Sequence, residues 1–364
     1  MPSPPRTLLA LIERPAHVCY RYRLEAFAPA LADAGWTLKA LPLGRSSWPA
    51  LREVPTIAAA DAVILQRRLL PWWRMRLIRA AARRLIFDLD DAIFYRDFNA
   101  SKPAQSWQRG MRFRAVVRAA DAVLVGNRFL QQQALLAGAS HEPWVFPTCV
   151  DSDQYWMAHH EPRRARVQLA WIGSQETARA LPAIQPMLAA AARRCPKLEL
   201  KLICDQFQAL SGVTTRHCLW SQQTEASALA EADIGITVLP DHPWSPGKCG
   251  LKVLQYMAAG LPVVANPIGA HLDLVRHGET GFLASTPEAW VDAVVRLAES
   301  PALRKSMGQA GRAFVERHYS VRRWNRLLPT VLEHLTATKP RPACPTPTPV
   351  FTLPDPVDCE SAVV

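Results

Sequence analysis

The sequence predicts an α/β protein with two parallel-sheet domains. Two observations carry this. Short apolar runs alternate with helical stretches along most of the chain, and one polar, proline-marked stretch, Pro147–Arg166, divides the alternation into two sets. Strands separated by helices pair in parallel, because a parallel pair needs a long crossover, and both faces of such a sheet are covered. A chain of 364 residues is long enough for two domains, each with its own core.

The elements follow in order. Residues 1–150 form the first domain. Thr7–Ile12 is an apolar run too short for an export signal and followed at once by Glu13 and Arg14, so it reads as the first buried strand. Helix Tyr22–Ala34, strand Trp36–Leu41 and strand Ala62–Leu65 come next. Helix Trp72–Arg83 leads to strand Arg84–Phe87, then helix Arg112–Ala120, strand Ala122–Val125 and helix Asn127–Ala137. Residues 151–166 are the expected hinge. The second domain, 167–320, opens with strand Val167–Ile172 and helix Ala180–Arg194. Strand Leu198–Ile203, helix Thr224–Glu231, strand Ile234–Val238, helix Leu251–Ala259 and strand Pro262–Ala265 complete the pattern. A helix over 321–337 follows, and the proline-dense stretch 338–364 is expected to be disordered.

Composition narrows the function. The net charge of +12 favours anionic partners, but no nucleic-acid recognition module is present, so no nucleic acid is expected. No apolar run is long enough to span a bilayer. The eight cysteines are scattered without a C-x-x-C pair, which argues against zinc and for reduced thiols in a cytoplasm.

The most informative stretch is Ser245–Val264, where a basic loop with Gly247, Lys248 and Gly250 meets a short helix that stops at Gly260. A helix N-terminus leaves backbone N–H groups unpaired and carries partial positive charge, so it suits an anion. With Lys248 and Lys252 beside it, the start of this helix at Gly250 and Leu251 is suited to a phosphate group.

The same stretch resembles the donor-site motif of GT-B glycosyltransferases, specifically the large retaining group known as family 4. The match is Gln255-Tyr256-Met257-Ala258-Ala259-Gly260-Leu261-Pro262-Val263-Val264, and it continues through Asn266–Ala270, His277–Leu283, Met307–Arg312 and Tyr319-Ser320. The resemblance implies two Rossmann-like domains facing a cleft, with the terminal helix crossing back to the first. It implies a nucleotide-diphosphate sugar as donor, held by Gly173, Ser174, Lys248, Gly250, Leu251, Lys252 and Gln255, and no metal or other cofactor. Gln255 stands where the family has the second glutamate of its E-x7-E motif, which holds the donor ribose. Gly247 stands where the family has the first, which contacts the donor sugar.

In the first domain, Phe87-Asp88-Leu89-Asp90-Asp91 follows a strand end. Asp90 and Asp91 are expected to line the cleft near the reacting sugar; an aspartate cluster capping a helix is the structural alternative. His17 is a candidate for proton transfer, and Arg21 and Arg23 for an anionic acceptor or a donor phosphate. Trp72 and Trp73 with Arg67, Arg68, Arg74 and Arg76 form an aromatic–basic patch that suits either a membrane surface or an ordinary helix.

Together these readings anticipate a retaining glycosyltransferase of hexosyltransferase type. Its acceptor is expected to be a cell-surface glycan or a lipid-linked precursor, with peripheral contact to the anionic inner membrane. A sugar-nucleotide epimerase and a catalytically impaired nucleotide- or glycan-binding protein are the competing readings.

Overall fold

A computed structural model describes residues 5–44, 50–160, 165–207 and 209–337. The proline-rich stretch and part of the expected hinge lie outside them.

Among the described residues, twelve strands form two six-stranded sheets, and every strand pairing is parallel. The first sheet contains β1 (Arg6–Ile12), β2 (Trp36–Pro42), β3 (Ala62–Gln66), β4 (Leu85–Leu89), β5 (Ala122–Val125) and β6 (Trp144–Val145). Its order is β2-β1-β3-β4-β5-β6. The second contains β7 (Val167–Ile172), β8 (Leu198–Cys204), β9 (Thr214–Leu219), β10 (Ile234–Thr237), β11 (Val263–Ala265) and β12 (Gly281–Leu283). Its order is β12-β11-β10-β7-β8-β9. In both sheets the first strand in sequence is flanked by strands that wind off in opposite directions. The crevice at such a reversal, beyond the carboxyl ends of the strands, is where ligands bind in open α/β sheets.

Alternate residues of each strand feed two cores. Leu9, Leu11, Val63, Leu65 and Phe87 pack on one side of the first sheet, under helices that bring Met75, Ile78, Phe113 and Val116. Leu8, Ala10, Ile64 and Ile86 pack on the other side. There the helix Leu327–Ala337 adds Leu328, Val331, Leu332 and Leu335 to the first-domain core. Burying each of these side chains is worth about 1.5–3 kcal/mol before entropic costs, which anchors this helix to the first domain. The crossing is fixed by backbone bonds: Val150 N–H donates to Tyr319 O at 3.0 Å, and Val321 N–H donates to Val150 O at 3.1 Å.

Several elements differ from expectation. Tyr22–Ala34 is not one helix: it divides into Val18–Arg23, a 3-10 turn Glu25–Phe27, and Ala28–Asp33 with Pro29 in its first turn. A 3-10 turn Leu181–Ile184 precedes the helix Gln185–Arg194, whose first turn holds Pro186. In both cases a proline, which lacks an N–H donor, starts a new helix rather than continuing one. The helix after Ser320 is broken at Asn325-Arg326. Sequence reading also passed over β6, β9 and β12. The strand β9, TTRHCL, is half exposed at a sheet edge and lacks a buried apolar run.

Candidate functional site

The loops after β1, β3, β4, β7 and β10 converge between the two sheets. The helix Leu251–Ala258 starts from Gly250, which is left-handed (φ 67°, ψ 27°), and no side chain caps it. A residue with a Cβ is strained there. The first N–H groups of this helix therefore have no intrahelical acceptor, and its dipole favours negative charge.

Lys252 is half-buried beside that N-terminus, its ammonium 4.4 Å from the centroid of the Trp171 ring. Burial, reinforced by the charge of Lys248, pushes Lys252 down to about 7. It has no acidic partner among the described residues. The turn after β7 accommodates it: a Cβ at Gly173 would come within 2.9 Å of Lys252 Cε. Ser174 is exposed and starts the short helix Gln175–Ala178 without a side-chain cap bond.

Lys248 faces the first domain. Its Nζ lies 2.8 Å from Asp91 Oδ2 and 3.4 Å from the centroid of the Trp244 ring. Asp91, 1 % exposed, also pairs with Arg67 at 2.5 Å, and Arg67 reaches toward Asp90 at 3.6 Å. Two acids and two bases thus form one interdomain knot. Burial alone would raise Asp90, but Arg67, Arg23 and Lys248 outweigh it and hold the carboxyl below its ordinary value. Asp90 is therefore ionised at neutral pH, a fixed negative charge and a weak base. Arg67 adopts φ 54°, the one non-glycine residue with positive φ among those described. Such a conformation costs roughly 1–2 kcal/mol, offset by the backbone bond from Arg67 N–H to Asp88 O at 2.9 Å and by its two aspartates.

The other first-domain candidates have different surroundings. His17 caps the helix Val18–Arg23, its Nδ1 accepting from Cys19 N–H at 3.2 Å. Burial and then the charge of Arg67 lower its pKa, so the ring is neutral near pH 7. Arg23 is not a cleft-facing anion ligand. It is fully buried, pairs with the equally buried Asp88 and donates to Phe146 O at 2.7 Å. The apolar positions of a short helix turned this arginine inward, where only a paired charge is tolerated. Arg21 is committed to Glu225 of the second domain. Of the aromatic–basic patch, Arg74 is buried against Glu53 and Arg67 turns into the knot, while Trp72 is 67 % exposed.

Gln255 is 4 % exposed, and its amide nitrogen donates to the hydroxyls of Tyr22 at 3.0 Å and Tyr155 at 3.2 Å. Glu225 accepts from Tyr22 and from Trp220 Nε1. A buried polar network thus joins both domains and the hinge. Gly247 sits where the loop touches the first domain: a Cβ there would meet Ala92 Cβ at 2.5 Å and Ala92 N at 2.6 Å. No acidic side chain fits at that position with the domains so close.

Arg67, Glu225, Tyr155 and Trp171 were not legible as site residues. Only Trp171, next to the glycine-containing strand end, left a local signal. Among the described residues no group of three or more His, Cys, Asp or Glu could hold a metal ion. A groove of about 350 Å³ lined by Trp156, Met157, His159 and Ser227 contains none of these cleft residues.

Residues 163–300 match the family Glycosyl transferases group 1. Over 231 residues the chain is 26% identical to a phosphatidyl-myo-inositol mannosyltransferase of Mycobacterium tuberculosis, covering 57% of this chain and 59% of that protein. It is 42% identical over 66 residues to a GDP-Man:Man(3)GlcNAc(2)-PP-Dol alpha-1,2-mannosyltransferase of Dictyostelium discoideum, covering 18% of this chain and 12% of that one. The chain thus spans less than two thirds of these relatives' lengths. Its fold is similar to that of a sucrose-phosphate synthase from Thermosynechococcus elongatus, with TM-score 0.70 and 16% identity over 92% of this chain and 100% of that one. It is similar also to HepE from Anabaena in complex with UDP-glucose, with TM-score 0.67 and 14% identity over 90% of this chain and 99% of that one.

Proposed function

We propose that this chain, whose fold is GT-B and whose residues 163–300 match the family Glycosyl transferases group 1, moves a sugar from a nucleotide-diphosphate donor to an acceptor with retention of configuration. The observation that carries the proposal is the placement of Lys252, with no acidic partner among the described residues, in the first turn of the uncapped helix Leu251–Ala258, beside the turn at Gly173; Lys248, paired with Asp91, precedes that turn in the same loop. A diphosphate placed there meets fixed N–H donors and ammonium groups. As the bond to the sugar breaks, charge grows on the leaving phosphate, and one preorganised donor is worth about 3 kcal/mol at that moment. The same phosphate can take the proton of the attacking hydroxyl, so no side-chain nucleophile is required. Asp90, held ionised by Arg67, Arg23 and Lys248, and Asp91, paired with Arg67 and Lys248, then serve to position the loop and the reacting sugar. Two relatives are named for acceptors that carry a lipid, which supports a lipid-linked precursor as acceptor here; a cell-surface glycan is the alternative.

The reading is tested by mixing the protein with a panel of nucleotide sugars and measuring nucleoside diphosphate release and thermal stabilisation. Wild type should release nucleoside diphosphate slowly from one donor, and Lys252→Ala should lose about 100-fold in rate or more. Because Lys252 titrates near 7 in the free protein and a bound diphosphate keeps it protonated, donor affinity should fall up to about tenfold per pH unit above neutrality. Equal stabilisation of wild type and Lys252→Ala by every donor would refute the lysine assignment.

A binding-only reading has a specific basis. Gln255 is bound to two tyrosines, and Gly247 leaves no space for an acid. Stabilisation by a donor without any nucleoside diphosphate release would favour it.

A further inference from the structure

We infer that the outer face of two first-domain helices, Trp72–Ala81 and Trp107–Ala119, is a docking surface for an anionic lipid bilayer. The helices follow the neighbouring strands β3 and β4 and pack side by side on the same face of the sheet, bringing Met75, Ile78, Phe113 and Val116 into one core. Arg79 ties them together, donating to Ala119 O at 3.2 Å and pairing with Asp121 at 2.7 Å.

Their outward faces are unusual in two independent ways. Trp72 is 67 % exposed, Trp107 69 % and Met111 45 %, and both tryptophans stand at helix starts on the cleft side of the domain. Large apolar groups so exposed on adjacent helices mark an interaction surface. Arginine is the only charged residue type on either helix. Arg74 and Arg79 are consumed by Glu53 and Asp121, but Arg76 and Arg114 are exposed and have no acidic partner among the described residues. Arg76 lies one turn below Trp72, and Arg114 lies two turns below Trp107 with Met111 between, so each helix presents one stripe of apolar and cationic residues.

Charge complementarity commits the surface to a bilayer. Tryptophan seats its amphipathic ring at the headgroup level, and arginines beside it meet anionic headgroups. A protein partner would need acidic groups matched one by one to these arginines; a fluid anionic leaflet supplies them everywhere. Because the tryptophans stand at the cleft end of the helices, the bilayer would lie next to the first-domain side of the cleft. An acceptor carried by a lipid could then enter without leaving the membrane. The docking itself does not depend on the transfer reaction.

The test is co-sedimentation of the full chain with vesicles of phosphatidylcholine, alone or mixed with phosphatidylglycerol. Wild type should pellet with the mixed vesicles only, and added salt should release it. The double variant Arg76→Gln/Arg114→Gln should bind roughly 30-fold more weakly, and Trp72→Ser/Trp107→Ser should also lose binding. Nucleoside diphosphate release from a soluble donor should stay unchanged in both, which separates this inference from the proposed reaction. Equal pelleting of wild type and both variants would overturn the inference. So would failure of wild type to pellet, or a lipid-free dimer that dissolves on replacing the tryptophans, which would assign the face to a second copy.

Discussion

Two residues show how burial sets chemistry in this chain. Lys252 lies under Trp171 with no counter-charge among the described residues, so folding favours its neutral form. Its folded pKa of about 7 is below that of the unfolded chain, so the unfolded state binds more protons between these values and stability rises with pH across that window. The burial penalty is fully present below pH 7. Lys252→Met should therefore raise the melting temperature in mildly acidic buffer while abolishing donor binding; a lower melting temperature would contradict this account of the lysine. Arg23 is the opposite case, a charge buried with its partner. Arg23→Met strands Asp88 in the core without its guanidinium, and about 3–5 kcal/mol of stability should be lost in urea titration. A loss below about 1 kcal/mol would mean that Asp88 finds another partner. Neither fate is written locally: both residues are basic, both were read as anion ligands, and only their neighbours in space separate them.

At the scale of elements, the helix Leu251–Ala258 is held from several sides. Tyr256 fills the space beside β10, its hydroxyl donating to Ile236 O and accepting from Ile172 N–H, both at 3.0 Å. Arg312, from the helix Pro301–His318, donates to Ala258 O and Tyr155 O, satisfying a carbonyl at the helix's end. That long helix approaches so closely that a Cβ at Gly308 would lie 2.0 Å from Gly260 O. Gly308→Ala should push the two apart and cost about 1–3 kcal/mol, seen as a lowered urea midpoint with donor binding weakened. An unchanged midpoint would show that the contact yields freely. The motif around Met307–Arg312, legible in the sequence as a resemblance, thus has a mechanical reason: small residues let this helix brace the donor-site helix.

At the scale of the whole molecule, the two domains meet through more than a hinge. Trp244 of the second domain enters the first-domain core, and Tyr22 of the first enters the second-domain core. Lys248–Asp91 and Arg21–Glu225 bridge the same gap. Gly247 lies against Ala92, so Gly247→Glu should hold the domains apart. Small-angle scattering should then report a larger radius of gyration than wild type, with the difference enlarged by adding Glu225→Gln. Identical scattering would mean that the loop, rather than the domain, gives way. The resemblance anticipated two domains facing a cleft, but these particular contacts were invisible in the sequence because they rest on single residues far apart in the chain, each with an ordinary local context.

The sequence by itself determined the alternation of strands and helices in two parallel sets and the basic helix start at Gly250, because these follow from periodicity, glycine and charge within short windows. Only the tertiary structure decided which charges remain available. Arg23 was spent on Asp88, Gln255 on Tyr22 and Tyr155, and Arg21 on Glu225, while Lys252 has no acid beside it among the described residues. A side chain's chemistry depends on its solvation and its partners, and those come from segments that the chain brings together only when it folds.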